Sequence, residues 1–338
     1  SLDARENLWS PGIRWGVQPG ARAHTTEFFG PVLSVIRADN LEHAVGIANS
    51  TPYGLTSGIH SLDSREVTYW LTHIVAGNLY VNRGITGAVV QRQPFGGCKA
   101  SGFGRGAKAG GINYVSQLVA ITDGQVEELP HQVPNHTVQS ALNSISSEMV
   151  SEAELLWLRA AAGSDAHYHE AHFSRSHDPT NLAGQDNRFE YRARPGLLLR
   201  VGALDANVGV IRAVLAALAG TIEITVILLP GHHTDLTDWL TEQVLRVRVL
   251  SDVQLADEVM MSQSGFFIRC LSAPSKVLAE SVIGTPSRLT VVPCVASGRV
   301  EGLHCRREVS ISFDYHRYGN LGTRESEERN GPDIISRR

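Results

Sequence analysis

Cysteine is scarce and scattered. Cys98, Cys270, Cys294 and Cys305 form no Cys-x-x-Cys pair, which excludes a dense disulfide framework and a zinc site built on paired thiols. A reducing, cytoplasmic setting is the expectation. No apolar run is long enough to cross a bilayer: the longest, residues 208–229, is broken by Arg212 and Glu223 and divided by Gly220, so it reads as a helix followed by a strand. Excess positive charge is also missing. With 30 Lys and Arg against 34 Asp and Glu, no basic field exists to hold a phosphate backbone by counterion release, so nucleic acid is not an expected partner. The opening Ser1-Leu2-Asp3-Ala4-Arg5-Glu6-Asn7 has neither an initiator Met nor the charged and apolar regions of a signal peptide, and is read as a cut.

What is present suffices for two packed cores, since chains beyond about 250 residues usually divide and this one has 338, 42% of them hydrophobic. Residues 26–120 are rich in glycine. Val32-Leu33-Ser34-Val35-Ile36 reads as a strand, and Asn40 can cap a helix whose Leu41, Ala44, Val45 and Ala48 share a face. A second helix over residues 64–73 leads through Gly77 into the strand Leu79-Tyr80-Val81. Residues 124–150 turn polar and lose apolar periodicity, which marks a linker between a first domain, 1–123, and a second, 151–322. In the second, strands at 197–201, 222–229, 247–250, 266–270 and 289–292 alternate with helices at 208–219 and 236–245. Such order predicts a doubly wound α/β fold with a parallel sheet. Charge dominates residues 323–338, which are expected to be disordered.

Three blocks carry the chemistry. Glu27-Phe28-Phe29-Gly30-Pro31 is followed by Gly77-Asn78-Leu79-Tyr80-Val81-Asn82-Arg83, then by Pro94-Phe95-Gly96-Gly97 with Ser101-Gly102-Phe103-Gly104-Arg105. In this order they resemble the aldehyde dehydrogenase superfamily. On residue type alone Glu27 reads more readily as a solvated strand-end carboxylate and Phe29 as a core aromatic, and the following Gly30-Pro31 reverses that preference. The resemblance implies that Glu27 accepts hydrogen bonds from the ribose of NAD and that Phe29 limits how the nicotinamide sits. The run Thr86-Gly87-Ala88-Val89-Val90-Gln91-Arg92-Gln93-Pro94-Phe95 is similar to the anchor loop of glutamate semialdehyde (pyrroline-5-carboxylate) dehydrogenases. The amides of Gly87 and Ala88 would then receive the substrate α-carboxylate, and Phe95 would wall its aliphatic chain; from spacing alone, Gly87 is as readily a turn residue. Relatives more often carry Ser where Ala88 stands, whereas the bifunctional bacterial enzymes accept Ala.

That family oxidises an aldehyde through a cysteine thiolate, with hydride transfer to NAD and hydrolysis by an activated water. The resemblance places its nucleophile and general base upstream of the Glu27 block. Cys98 is not at the nucleophile's position, so no catalytic residue is expected in this chain, and the chain alone is expected to be inactive. His167, His169, Glu170, His172, His177 and Asp178 do not form the pattern His-Glu-x-x-His and are expected in a polar, metal-free loop. Val201-Gly202-Ala203-Leu204-Asp205-Ala206-Asn207-Val208-Gly209 sits where a phosphate loop would, without the glycine spacing of one.

The second domain resembles the extra carboxy-terminal domain of the long bifunctional proline utilization A family, and residues 309–322 its tail. The resemblance implies the carboxy-terminal part of an aldehyde dehydrogenase domain followed by a Rossmann-like module that acts as a lid or association element. It further implies L-glutamate γ-semialdehyde as substrate, the missing upstream part of the same polypeptide as partner, and FAD only in the absent proline dehydrogenase part. Ile311 and Phe313 alternate with Ser310 and Ser312, as in a half-buried strand that either pairs with another element or edges its own domain. The sequence is compatible with a homo-oligomer and with peripheral membrane contact through the parent, and fixes neither. The competing readings are a purely structural module and an aldehyde dehydrogenase of other specificity; the latter normally ends soon after a strand like the one expected over residues 114–121.

Overall fold

A computed structural model describes residues 9–86, 92–102, 104, 106–123, 132–182, 184–231, 234–243, 245–262 and 264–314. In chain order the elements are β1 (Gly12–Trp15), α1 (Arg22–Thr25), β2 (Val32–Val35), α2 (Leu41–Asn49), β3 (Tyr53–Gly54), β4 (Thr56–Ile59), α3 (Ser64–His73), β5 (Asn78–Val81), β6 (Cys98–Lys99), α4 (His136–Asn143), α5 (Glu152–Tyr168), β7 (Gln185–Ala193), β8 (Leu197–Val201), α6 (Asn207–Ala219), β9 (Ile224–Leu228), α7 (Thr234–Glu242), β10 (Arg246–Val249), α8 (Asp252–Met261), β11 (Phe267–Cys270), α9 (Lys276–Ser281), β12 (Arg288–Val291), α10 (Gly298–Glu301) and β13 (Arg306–Asp314). Asn40 caps α2 by accepting from the His43 amide, and Asp63 caps α3.

The larger sheet follows the predicted alternation. Its five strands are parallel in the order β10-β9-β8-β11-β12. Successive side chains of a strand point to opposite faces. On β8, Leu197, Leu199 and Val201 therefore enter a core built with α4, α5, α6 and α7, whereas Leu198 meets the core formed with α8 and α9. Helices on both faces make the sheet doubly wound. The polar stretch near residue 140 conceals α4, which Asn135 caps and which buries Val138, Ala141 and Leu142. Three apolar residues at helical spacing suffice because they dock on α6.

Two ion pairs cross this core. Arg212 donates from both terminal nitrogens to Asp165 at 2.6 and 2.8 Å, and Arg269 does the same to Glu301 at 2.6 and 2.9 Å. The Arg269 and Glu301 side chains are fully buried. Burial pushes Glu301 up, but the Arg269 guanidinium outweighs it and holds the carboxyl at about 2. The short α10 lies against α5 so closely that a Cβ on Gly298 would stand 2.5 Å from the Ser164 carbonyl oxygen.

The smaller sheet joins distant parts of the chain, in the order β4-β5-β13-β7. β13 runs parallel to β5 and antiparallel to β7. Val309, Ile311 and Phe313 share a core with Leu79, Val81, Trp70 and Leu71 beneath α2 and α3. The expected half-buried strand is instead central and buried on both sides, because its polar residues have internal partners rather than water. Ser310 Oγ donates to the Pro94 carbonyl, Ser312 Oγ donates to Asn187 Oδ1 at 3.0 Å and accepts from Arg83 at 2.6 Å, and Glu308 accepts from the Lys108 amide at 2.8 Å and from Asn113 Nδ2 at 2.7 Å.

Two further expectations change. Residues 115–118 form a 3₁₀ turn rather than a strand, with Val115 and Leu118 exposed. The expected histidine-rich loop is helical: α5 continues into a π-helical turn, His169–Phe173. There His172, Phe173, His177 and Tyr191 pack ring against ring, which gives the histidines apolar surroundings. The tail 323–338 lies outside the described residues.

Glu301→Ala, which strands the Arg269 charge, is expected to cost about 3–5 kcal/mol in urea unfolding; a loss below about 1 kcal/mol contradicts the pairing. Burial pulls Lys108 down to about 7, with Glu308 opposing it. Above that pH the folded chain has released a proton that unfolded lysine retains, so the contribution of Lys108 to stability rises with pH. Between pH 7 and about 8.5, the stability of wild type relative to Lys108→Met should grow by up to about 1 kcal/mol per pH unit. A difference independent of pH contradicts it.

Candidate functional site

Glu27 and Phe29 lie between α1 and β2, at the edge of a two-stranded parallel sheet in which β1 pairs with β2. Both are exposed, Phe29 by 91%, so Phe29 is not a core aromatic. Its φ of 49° is a conformation that aromatic residues rarely adopt. The turn is held downstream, where the Val32 amide donates to Gly30 O at 2.7 Å and the Gly12 amide to Pro31 O at 2.9 Å. An outward ring on a constrained backbone fits contact with a ligand or another surface better than packing. Phe28 beside it lies 5.7 Å from the Arg14 guanidinium.

Phe95 belongs to a different layer. It exchanges both main-chain hydrogen bonds with Ala109, at 3.0 and 3.1 Å, and is half-buried. The turn after it is fastened to β5. Asn78 Nδ2 donates to Leu55 O at 2.7 Å and Gly96 O at 3.1 Å, while Lys108 Nζ donates to Gly77 O, to Asn78 Oδ1 at 3.1 Å and to Gly96 O at 3.0 Å. A Cβ on Gly77 would come within 2.0 Å of Gly96 O, so this crossing requires glycine. Gly87 and Ala88 lie outside the described residues. Among the described residues, no hydrogen bond, ion pair or ring contact joins Glu27 or Phe29 to Phe95. Asn78 and Lys108, which hold the Phe95 turn, were not singled out from sequence; the one pointer was the pair Gly96-Gly97 following Gly77 in the motif order.

Every cysteine sits where the thiol is favoured over the thiolate. Burial pushes Cys98 up despite the nearby Arg307, Lys99 and Lys108 cations, and its Sγ lies 3.4 Å from Gly54 O. Burial raises Cys270 and Cys294 to about 12 and Cys305 to about 11. A reactive cysteine needs the opposite shift. Burial, reinforced by Arg299 and His177, pulls His172 down to about 4, and its Nε2 lies 3.0 Å from the Tyr191 hydroxyl. Among the described residues, no group of three His, Cys, Asp or Glu side chains is placed to hold a metal.

In open α/β sheets ligands bind where strand order reverses, here between β8 and β11. Carboxylates already engage the groups a phosphate would use there. Asp205 accepts from the Gly202 amide at 2.7 Å, and Arg200 makes two 3.0 Å hydrogen bonds to Asp252. No helix among the described residues is long and apolar enough to cross a membrane.

Comparison with known proteins adds identity to this geometry. Residues 2–121 match the aldehyde dehydrogenase family. The chain is 42% identical over 113 residues to a 1-pyrroline-5-carboxylate dehydrogenase of Geobacillus kaustophilus (strain HTA426), covering 33% of this chain and 22% of that protein. It is 50% identical over 95 residues to the bifunctional protein PutA of Rhizobium meliloti, covering 28% of this chain and 8% of that one. Among solved structures, proline utilization A (PutA) from Corynebacterium freiburgense matches with a TM-score of 0.71 and 34% identity, over 94% of this chain and 28% of that chain. The chain thus spans less than a third of each of these relatives. Residues 2–121 are thus similar to the aldehyde dehydrogenase family, and nearly the whole chain is similar to part of the PutA structure.

Proposed function

We propose that this chain forms part of an NAD-dependent L-glutamate γ-semialdehyde (1-pyrroline-5-carboxylate) dehydrogenase acting in the degradation of proline to glutamate. The observation that carries this reading is the run Glu27–Pro31, inside the residues that match the family, with the Phe29 ring turned out to solvent at a positive φ. Its exposed carboxylate and ring fit a ribose hydroxyl pair and a nicotinamide face. NAD, when bound, supplies the hydride acceptor. Glu27 accepts from the ribose and Phe29 restricts the ring's position, while the amides of Gly87 and Ala88 hold the substrate α-carboxylate and Phe95 walls the aliphatic chain. The thiolate and general base come from outside this chain, a division supported by four thiols all shifted away from ionisation. FAD belongs to a proline dehydrogenase part of the longer protein, which is cytoplasmic in this reading.

A second role concerns residues 151–322, which we read as a lid and association module without chemistry of its own. The carboxylates that engage Gly202 and Arg200 at the sheet's reversal point favour it. Saturable NAD binding that is lost with Asp252→Ala would contradict it.

NAD reduction with the semialdehyde, measured on the longer protein, tests the main reading. Removing a hydrogen bond from a charged group costs about 1.5–3 kcal/mol, so Glu27→Ala should raise the KM for NAD by about ten-fold or more. Phe95→Ala should raise the KM for the semialdehyde. Unchanged kinetics in both variants, or turnover by this chain alone, would overturn the assignment.

A further inference from the structure

β13 and β7 set two arginines face to face. In their antiparallel register Arg307 lies opposite Arg192, an arrangement of like charges that ordinarily destabilises a sheet. Arg192 has an outlet: it donates to Leu71 O, and Glu190 lies 3.9 Å away. Arg194, just beyond the end of β7, donates to His304 O at 3.1 Å and stands 3.7 Å over the Phe267 ring. Arg307 has no such partner. Among the described residues no hydrogen bond or ion pair reaches its guanidinium, and its Nη1 is buried and unsatisfied. Burial, with Arg307 adding to it, pulls Arg192 and Arg194 down to about 10, which marks charge that the protein leaves uncompensated.

Arg307 borders a cavity of about 550 Å³, which lies between residues 97–99, 102, 104 and 106 and the leading ends of β8, β11 and β12. Arg288 and Lys99 add positive charge to its wall. Both donate to main-chain carbonyls, Arg288 to those of Lys99 and Gly102 and Lys99 to those of Asn49 and Thr51, which fix them without neutralising them. Glu308 also lines the cavity, but its carboxylate is engaged by Lys108 N and Asn113 Nδ2. Glu223 is exposed at the rim. Leu198 and Phe266 supply apolar surface. The volume lies within the range of small-molecule sites, which pair mostly apolar walls with a few placed polar groups.

We propose that this cavity binds a small organic anion, a carboxylate or phosphate head on a short apolar body, with the head on Arg307 and the body against Leu198 and Phe266. A planar guanidinium presents paired donors that match either head. Glu27, Phe29 and Phe95 do not line the cavity, so this is a site beyond the dehydrogenase reading. Its occupant would bridge the segment after the Phe95 turn, the parallel sheet and β13, and would receive the Arg307 nitrogens that remain accessible, whereas Nη1 is closed off from the cavity.

Titration calorimetry on the 338-residue chain with hexanoate, hexyl phosphate and inorganic phosphate tests the proposal. One hexyl probe should bind saturably and at least ten-fold more tightly than inorganic phosphate, and the tighter of the two identifies the head. Arg307→Met should weaken that binding at least ten-fold while leaving the urea midpoint unchanged or higher, because it removes an uncompensated charge and keeps the stem. Arg307→Lys should retain binding to within about ten-fold, as a point charge in place of the fork. The proposal is overturned if neither hexyl probe binds saturably, if inorganic phosphate binds as tightly as both, if binding survives Arg307→Met, or if that variant lowers the midpoint and so reveals a structural arginine.

Discussion

The join between the two parts of the chain rests on the insertion of β13 between β5 and β7. The inserted strand converts two distant stretches of chain into one sheet, with Ser310 opposite Asn78 on one side and Phe189 on the other. One face of the strand closes the apolar core under α2 and α3, and the other is a row of polar groups, each given a partner inside the protein. Satisfied buried polar groups specify a register because any slip leaves them unpaired at a cost of about 1–3 kcal/mol each. A strand from the later part of the chain therefore completes both the sheet and the core of the part that matches the aldehyde dehydrogenase family.

The same junction positions the candidate site. Glu308 receives the Lys108 amide, and Lys108 Nζ reaches the Gly77 and Gly96 carbonyls, so the turn that carries Phe95 is tied to both β5 and β13. Three oxygens receive that amine but offset only part of the cost of burying its charge, since burial still pulls Lys108 down to about 7. The Glu27–Pro31 run stands apart on the β1–β2 pair, with its aromatic ring exposed and its backbone constrained. These contrasting settings are compatible with the roles proposed above, a fixed substrate wall at Phe95 and an accessible coenzyme contact at Glu27 and Phe29.

Much of this was legible from residue pattern. Asn40 marks the start of α2, the pattern over residues 64–73 gives α3, and the apolar alternation of β8 to β12 announces a parallel sheet, because these signals are local and written in one period. β7 and the burial of β13 were not legible. Serines and arginines on a strand look the same whether they face water or partners 200 positions away, as Glu308 and Lys108 are. The π turn after α5 was hidden for a similar reason: histidine is polar by composition, yet here His172 and His177 pack as aromatic rings against Tyr191. At the candidate site the motif was the sole ground for singling out Glu27 and Phe29, while the contacts of Asn78 and Lys108 depend on a close crossing of two glycine-bearing segments that no spacing rule describes.

Hydrogen exchange on the chain carrying Ile311→Asp tests the central claim most directly, since that substitution places a charge in the core shared by β13, β5, α2 and α3. The account predicts that amides of β5, of β7 and of the Phe95–Ala109 bridge lose protection together, while the five-stranded parallel sheet keeps its own. Retained protection in β5 and at the Phe95 bridge, with loss confined to β13, would show that the two parts of the chain fold without needing one another.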